Sequence, residues 1–297
     1  MTDLPPFHLI DRAVLRINGT DARSFLQGLV TCDMDAVSPE RPGFGALLTP
    51  QGKIIADFFI IDASGDEGGG FLLDVPLLLI EALAKRLGLY KLRAQVTIEN
   101  LSEMAAVVAA FAGSQFTDDD GLVFPDPRLP TMGRRAITDR AHATTCSDDA
   151  TAYHAHRIAL GVPDGGKDFT YGDAFAHETM MDQLGGISFS KGCYVGQEIV
   201  SRMQHRGTAR TRIVPIVFAD GVRSEWGVEV TAGGKLLGKV GTTAQGRGLA
   251  MLRLDKVADA LAAGEPLLAG GMAFTVEKPA FATFPFPGEA GFGGAPA

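Results

Sequence analysis

The feature that most constrains this chain is a change of texture near Arg210. Beyond it, short apolar runs at 214–218, 228–230, 236–240, 248–252 and 273–276 alternate with glycine-containing turns. Short, evenly spaced strands of this kind predict a small barrel or sandwich, separate from what precedes it. The upstream part mixes periods. Residues 13–17 alternate like a strand and enter the turn Asn18-Gly19, after which Thr20 or Asp21 caps a short helix presenting Phe25, Leu26 and Leu29. Runs at 44–48 and 54–61 flank Thr49-Pro50-Gln51-Gly52 and predict a hairpin. A turn at 66–70 leads to a strand at 71–74. Helical spacing follows at 77–89, with Gly88 near its end, then strands at 96–100 and 105–111. The Pro/Gly-rich stretch 125–134 reads as loop, 150–160 as a helix closed by Gly161 and Pro163, and 165–190 as irregular.

With 297 residues the chain exceeds what one core comfortably serves. The expected division is a body at 1–210, a barrel at 211–285 and a disordered Gly/Ala/Pro tail at 286–297. A net charge of −8 argues against a general polyanion binder, so affinity for nucleic acid or an anionic cofactor requires a local basic patch. The three cysteines, Cys32, Cys146 and Cys193, form no CxxC pair, and the histidines form no HxxxH or HExxH pair. Neither a zinc site nor a disulfide framework is expected. No apolar run approaches the roughly 20 residues of a membrane span, and the early acids and prolines do not make a signal peptide. A cytoplasmic protein is the expectation.

The chemistry concentrates at 185–207. Gly192 and Gly196 bracket a tight loop carrying Cys193 and Tyr194, and a helix is expected from about Gly196 to His205, with Gly207 as its C′ residue. Val195, Ile199 and Met203 form its packing stripe. Gln197 and Glu198 fall in its first turn, and Glu198 can pair with Arg202 four residues on. Cys193 lies two residues from Lys191 and ahead of a helix N-terminus, and both features stabilise a thiolate. The residue is either a nucleophile, redox thiol or metal ligand, or a half-buried space filler beside Tyr194. Lys191, Arg202, Arg206, Arg210 and Arg212 face one acid, Glu198. They form either a solvated helix end or a site for an anionic tail.

The string Lys191-Gly192-Cys193-Tyr194-Val195-Gly196-Gln197-Glu198 resembles the KGCYxGQE signature of the YgfZ family, whose pattern mitochondrial iron–sulfur assembly proteins share. Supporting matches span nearly the whole chain. They include Asp11-Arg12, Gly19-Thr20-Asp21-Ala22, Leu48-Thr49-Pro50-Gln51-Gly52-Lys53, Tyr90-Lys91-Leu92-Arg93 and Gly238-Lys239-Val240-Gly241-Thr242. The resemblance implies an α+β fold similar to the aminomethyltransferase (T-protein) of glycine cleavage. That fold is a cloverleaf body around a central folate channel, with a small C-terminal β-barrel.

It also implies tetrahydrofolate or a one-carbon derivative as cofactor. Arg157, Glu178, Asp57, Gly192, Tyr194, Gly196, Gln197, Glu198 and Arg202 would line the site, with Cys193 and Lys191 as the reactive pair. The T-protein's adjacent aspartates correspond here to Ala56-Asp57, and its pterin-contacting glutamate to Ala159. Both departures argue against glycine-cleavage chemistry. The implied function is support of [4Fe–4S] protein assembly or repair, with iron–sulfur clients or assembly proteins as partners and an indirect effect on tRNA modification. The alternatives are a folate-dependent aminomethyl- or methyltransferase, and a protein binding tRNA or a tRNA-modifying enzyme through the Arg202–Arg212 stretch. Direct nucleic-acid binding is not expected at this net charge.

Overall fold

The computed structural model describes residues 4–63, 65, 69–111, 114–117, 120–206, 209–219, 221–289 and 292, with the side chain of Arg206 excepted. The expected turn at 66–70, the C′ role of Gly207 and most of the expected tail lie wholly or partly outside them. The chain forms two compact units. One comprises Met1–Tyr153 with Leu184–Gln197, the other His154–Gln183 with Glu198–Ala297.

The first unit holds two antiparallel sheets. Five strands run in the order Gly43–Leu48, Ile54–Asp62, Phe71–Pro76, Arg12–Asn18 and Thr97–Asn100. Ile54–Asp62 is an almost unbroken apolar run because both of its faces are covered. Ala56, Phe58 and Ile60 join Leu15, Ile17, Leu73 and Val75 in the main core, which the helix Ile80–Lys91 covers with Ile80, Leu83 and Leu87. That helix runs past Gly88, where the sequence predicted its end, and stops at Leu92, whose φ is 44°. Asp21 stands at the N-cap of Ala22–Gln27, but its carboxylate accepts from the Gln95 amide at 2.8 Å rather than capping.

The second sheet runs Phe7–His8, Ala105–Ala110, Arg134–Asp139 and Leu122–Pro125. Its last two strands border the stretch read as loop, where prolines and glycines obscure the pairing of Phe124 with Arg135.

In the second unit, Thr151–Leu160 continues from the first unit as the expected helix. Six strands close a barrel in the order Thr211–Phe218, Arg247–Arg253, Lys235–Ala244, Glu229–Ala232, Leu267–Ala269 and Met272–Val276. Leu254–Ala262, unassigned from sequence, is a helix burying Leu254, Val257 and Ala260. Trp226 is 62% exposed. Its indole N–H donates to the Lys167 carbonyl at 2.6 Å.

Candidate functional site

In the first unit the motif loop is pinned on both sides of Cys193. Upstream, the buried Thr31 hydroxyl donates to the Gly186 carbonyl at 2.6 Å, and the Ser188 amide donates to the Thr31 carbonyl at 2.9 Å. The Lys191 ammonium donates to the carbonyls of Val30 at 2.8 Å and Cys32 at 2.7 Å, and lies 5.3 Å from the Tyr194 ring centre. Burial holds the Lys191 pKa below its usual value, against the opposing pull of Cys32, Asp33 and Asp35. Burial also pushes the Tyr194 hydroxyl up to about 12.

Downstream, Gly196 adopts a φ of 83°, and a Cβ there would stand 2.6 Å from the Thr49 carbonyl oxygen. The loop can seat against the 49–52 turn only through a glycine. Gly196→Ala is therefore expected to loosen the loop without unfolding the protein. Protease sensitivity confined to residues near 190–197 would reveal this, and unchanged protection would refute the seating.

Between these anchors Gly192 and Cys193 are exposed, and a Cβ on Gly192 would meet nothing within 4 Å. This corrects the expected pairing of Lys191 with Cys193, because the lysine's cation is spent on the 30–32 segment. Lys191 is a tether that shapes the loop. The other thiols are less available. Burial raises Cys32 to about 12 despite the nearby Lys191 cation, and burial also raises half-buried Cys146.

Beside the loop, a cleft of about 660 Å³ is lined by Cys32, Asp33, Arg41, Phe44, Pro127 and residues 187–190. Asp57, on the strand Ile54–Asp62, is buried. Gln197 opens the helix Gln197–Arg206, its amide donating to the Tyr194 carbonyl at 3.2 Å.

The remaining expected site residues belong to the second unit and have structural partners there. Arg157 is 1% exposed. Its guanidinium donates to Asp168 Oδ2 at 2.6 Å, Thr242 Oγ1 at 2.9 Å, the Val162 carbonyl at 3.2 Å and His154 Nδ1 at 3.1 Å. Asp168 also accepts from the Thr242 amide at 2.8 Å and the Asp164 amide at 2.9 Å. Helix, turn and barrel strand are thus clasped through one carboxylate. Glu178 accepts from the Phe175 amide at 2.9 Å. Glu198 and Arg202 pair in the open, an interaction worth only about 0.3–0.5 kcal/mol.

Arg212 is buried against Asp182 at 2.6 Å and over the Phe284 ring, so it does not contribute to a surface patch. Arg210 approaches Asp255 at 3.9 Å. Of the basic stretch, Lys191 and Arg212 are engaged inside the protein, whereas Arg202 and Arg210 remain exposed beside Glu198 and Asp255.

Sequence reasoning missed a buried cluster in the first unit. Asp74 receives Arg12 and Arg135, each at 2.5 Å, while Asp126 receives Arg128 at 2.7 Å and Arg135 at 3.3 Å. The Tyr153 hydroxyl accepts from Arg135 at 2.6 Å, and the Arg135 guanidinium lies 4.1 Å from the Phe59 ring centre. These residues come from both sheets, the 126–128 turn and a helix. Of them, only Arg12 lay in a motif. Among the described residues no group of three or more His, Cys, Asp or Glu side chains is placed to hold a metal. No helix among the described residues is long and apolar enough to cross a membrane.

Comparison with known proteins gives consistent relatives. A family model described as the CAF17 C-terminal beta-barrel domain matches residues 210–284. The mitochondrial iron–sulfur cluster assembly factor IBA57 homolog of Pyricularia oryzae is 34% identical, covering 88% of this chain and 75% of its own. Mitochondrial IBA57 of Homo sapiens is 33% identical, covering 84% and 78%. Among solved structures, glycine cleavage aminomethyltransferase T from Bartonella henselae superposes with a TM-score of 0.68 at 14% identity, over 95% of this chain and 87% of that one. That likeness bears out the α+β, T-protein-like fold with its terminal barrel. The cytoplasmic expectation is corrected by the relatives, which are named as mitochondrial proteins.

Proposed function

This chain belongs to the IBA57 family of iron–sulfur cluster assembly factors, and on that premise we propose that it supports the maturation of iron–sulfur proteins through Cys193. The carrying observation is the exposed thiol on a loop fixed by Lys191 on one side and Gly196 on the other. A thiol exposed there is open to iron of a cluster in transit, the cluster being cargo rather than a resident group. The KGCYVGQE string supports the narrower reading of a YgfZ-type factor serving [4Fe–4S] clients, with tRNA modification affected through those clients.

Tetrahydrofolate is the proposed cofactor, and the residues fit it in part. A carboxylate such as Asp57 can accept from the N–H groups of a pterin edge. Arg157 does not fit the role of cation for the glutamate tail, because Asp168, Thr242, Val162 and His154 occupy its guanidinium. When bound, the folate would supply one-carbon chemistry, and the chain's own contribution would be to hold and orient it.

Two measurements test the proposal. Cys193 is expected to alkylate faster than Cys32 and Cys146, and Cys193→Ser is expected to lower [4Fe–4S] enzyme activity in cells while leaving thermal stability unchanged. Full client activity in that variant would refute the role of the thiol. Tetrahydrofolate at about 100 times its Kd is expected to stabilise the protein by roughly 2.7 kcal/mol. A folded protein with no thermal shift at millimolar ligand would remove the cofactor and leave the cysteine proposal standing.

A further inference from the structure

The helix Ile80–Lys91 buries Ile80, Leu83 and Leu87, and its opposite face is unusual for a chain of net charge −8. On that outer side Ala82, Lys85 and Leu89 follow the i, i+3, i+7 spacing of one helical face. Leu78, in the preceding turn, is 96% exposed, Leu89 is 73% exposed, and Leu92, just past the helix, is 90% exposed. Around them stand the exposed Lys85, Arg86 and Arg93, and among the described residues no ion pair or side-chain hydrogen bond engages any of the three. The nearby acid, Glu81, is bonded to the Asn100 amide at 2.6 Å. The result is a strip of leucines edged by unpaired cations, about 20 Å long at the helical rise.

We propose that this strip docks an acidic, amphipathic helical segment of a partner protein. The charge sets the sign of the partner. Unpaired cations around apolar side chains are complementary to a helix that carries leucine-type residues on one side and Glu or Asp at its edges. The length matches roughly four turns of such a helix. A lipid surface fits less well, because it rewards a broad continuous apolar face, and here Lys85 and Arg86 interrupt the leucines. The strip involves neither Cys193 nor the proposed folate residues, so the inference does not depend on the function proposed above.

The test uses the full chain and a fluorescently labelled amphipathic peptide of Leu and Glu. Its controls are the same peptide with Lys in place of Glu, and phosphatidylserine-containing vesicles. The wild-type protein is expected to bind the Glu peptide saturably. Lys85→Glu/Arg86→Glu/Arg93→Glu and, separately, Leu78→Ser/Leu89→Ser/Leu92→Asn are each expected to weaken that binding by about tenfold or more. The thermal midpoint should not move, since the substituted side chains are exposed. The charge-reversed protein should instead bind the Lys peptide. Absence of saturable binding to the Glu peptide, equal binding by both sets of variants, or binding to vesicles but not to the peptide would each overturn the proposal.

Discussion

Replacing Asp74 with asparagine is expected to cost the first unit about 3–5 kcal/mol, measured as a lowered urea midpoint. The change keeps the side chain's shape but leaves Arg12 and Arg135, both buried at 2.5 Å from this carboxylate, without its charge. Breaking one partner out of a buried ion cluster strands the others in a medium that solvates them poorly. A loss below about 1 kcal/mol would show that water reaches the cluster and screens it, as it does at surface pairs. The same cluster sets a pH dependence. Burial alone would raise the Asp126 carboxyl, but the guanidiniums of Arg128 and Arg135 overcome it and hold the group below the usual carboxylate range. Its stabilisation is therefore complete above the unfolded value of about 3.9 and is lost as pH falls through the lower, folded value. Protonation of Asp126 should add to acid unfolding in wild type and contribute less in an Arg128→Leu variant.

Arg157→Ala is expected to destabilise the second unit by about 3–5 kcal/mol, because Asp168 would keep its buried carboxylate and lose the charge that balances it. The measurement is again denaturant unfolding, followed by the fluorescence of Trp226, whose indole bonds to Lys167 one residue from Asp168. This outcome separates a clasp from a ligand contact. A variant as stable as wild type but blind to tetrahydrofolate would assign the guanidinium to the cofactor instead. Arg157→Lys should recover part of the loss, since one ammonium can reach Asp168 but cannot serve Thr242, Val162 and His154 together.

What could be read from the sequence was local. The hairpin around Thr49–Gly52, the helix closed by Gly161 and the barrel strands each carry their turn residues and periodicity within a few positions. The helix Leu254–Ala262 also carried its signal, with Leu254, Val257 and Leu261 at helical spacing, but it sits inside a run of short strands whose texture dominated the reading. Strands Leu122–Pro125 and Arg134–Asp139 were masked by the proline- and glycine-rich residues between them.

Charge placement was the least legible. Arg12 meets Asp74 through strand pairing at a separation of 62 residues, whereas Arg135 meets Asp74 across two different sheets at a separation of 61, and no spacing rule reports either. For the same reason Lys191 was read toward Cys193, its neighbour in sequence, when its amine bonds to carbonyls 161 and 159 residues away.

The clasp at Asp168 also bears on how this protein can be divided. The family boundary at residue 210 suggests a barrel that could be cloned, swapped or inherited as a cassette. Yet the barrel strand Lys235–Ala244 hands the Thr242 amide and hydroxyl to Asp168, and a Cβ at Gly241 would lie 2.6 Å from that carboxylate. The second unit correspondingly includes His154–Gln183. A gene fragment begun at 210 would encode every strand of the barrel and omit its fastener. A portable version must carry residues 154–183 with it, joined by a linker in place of the motif loop.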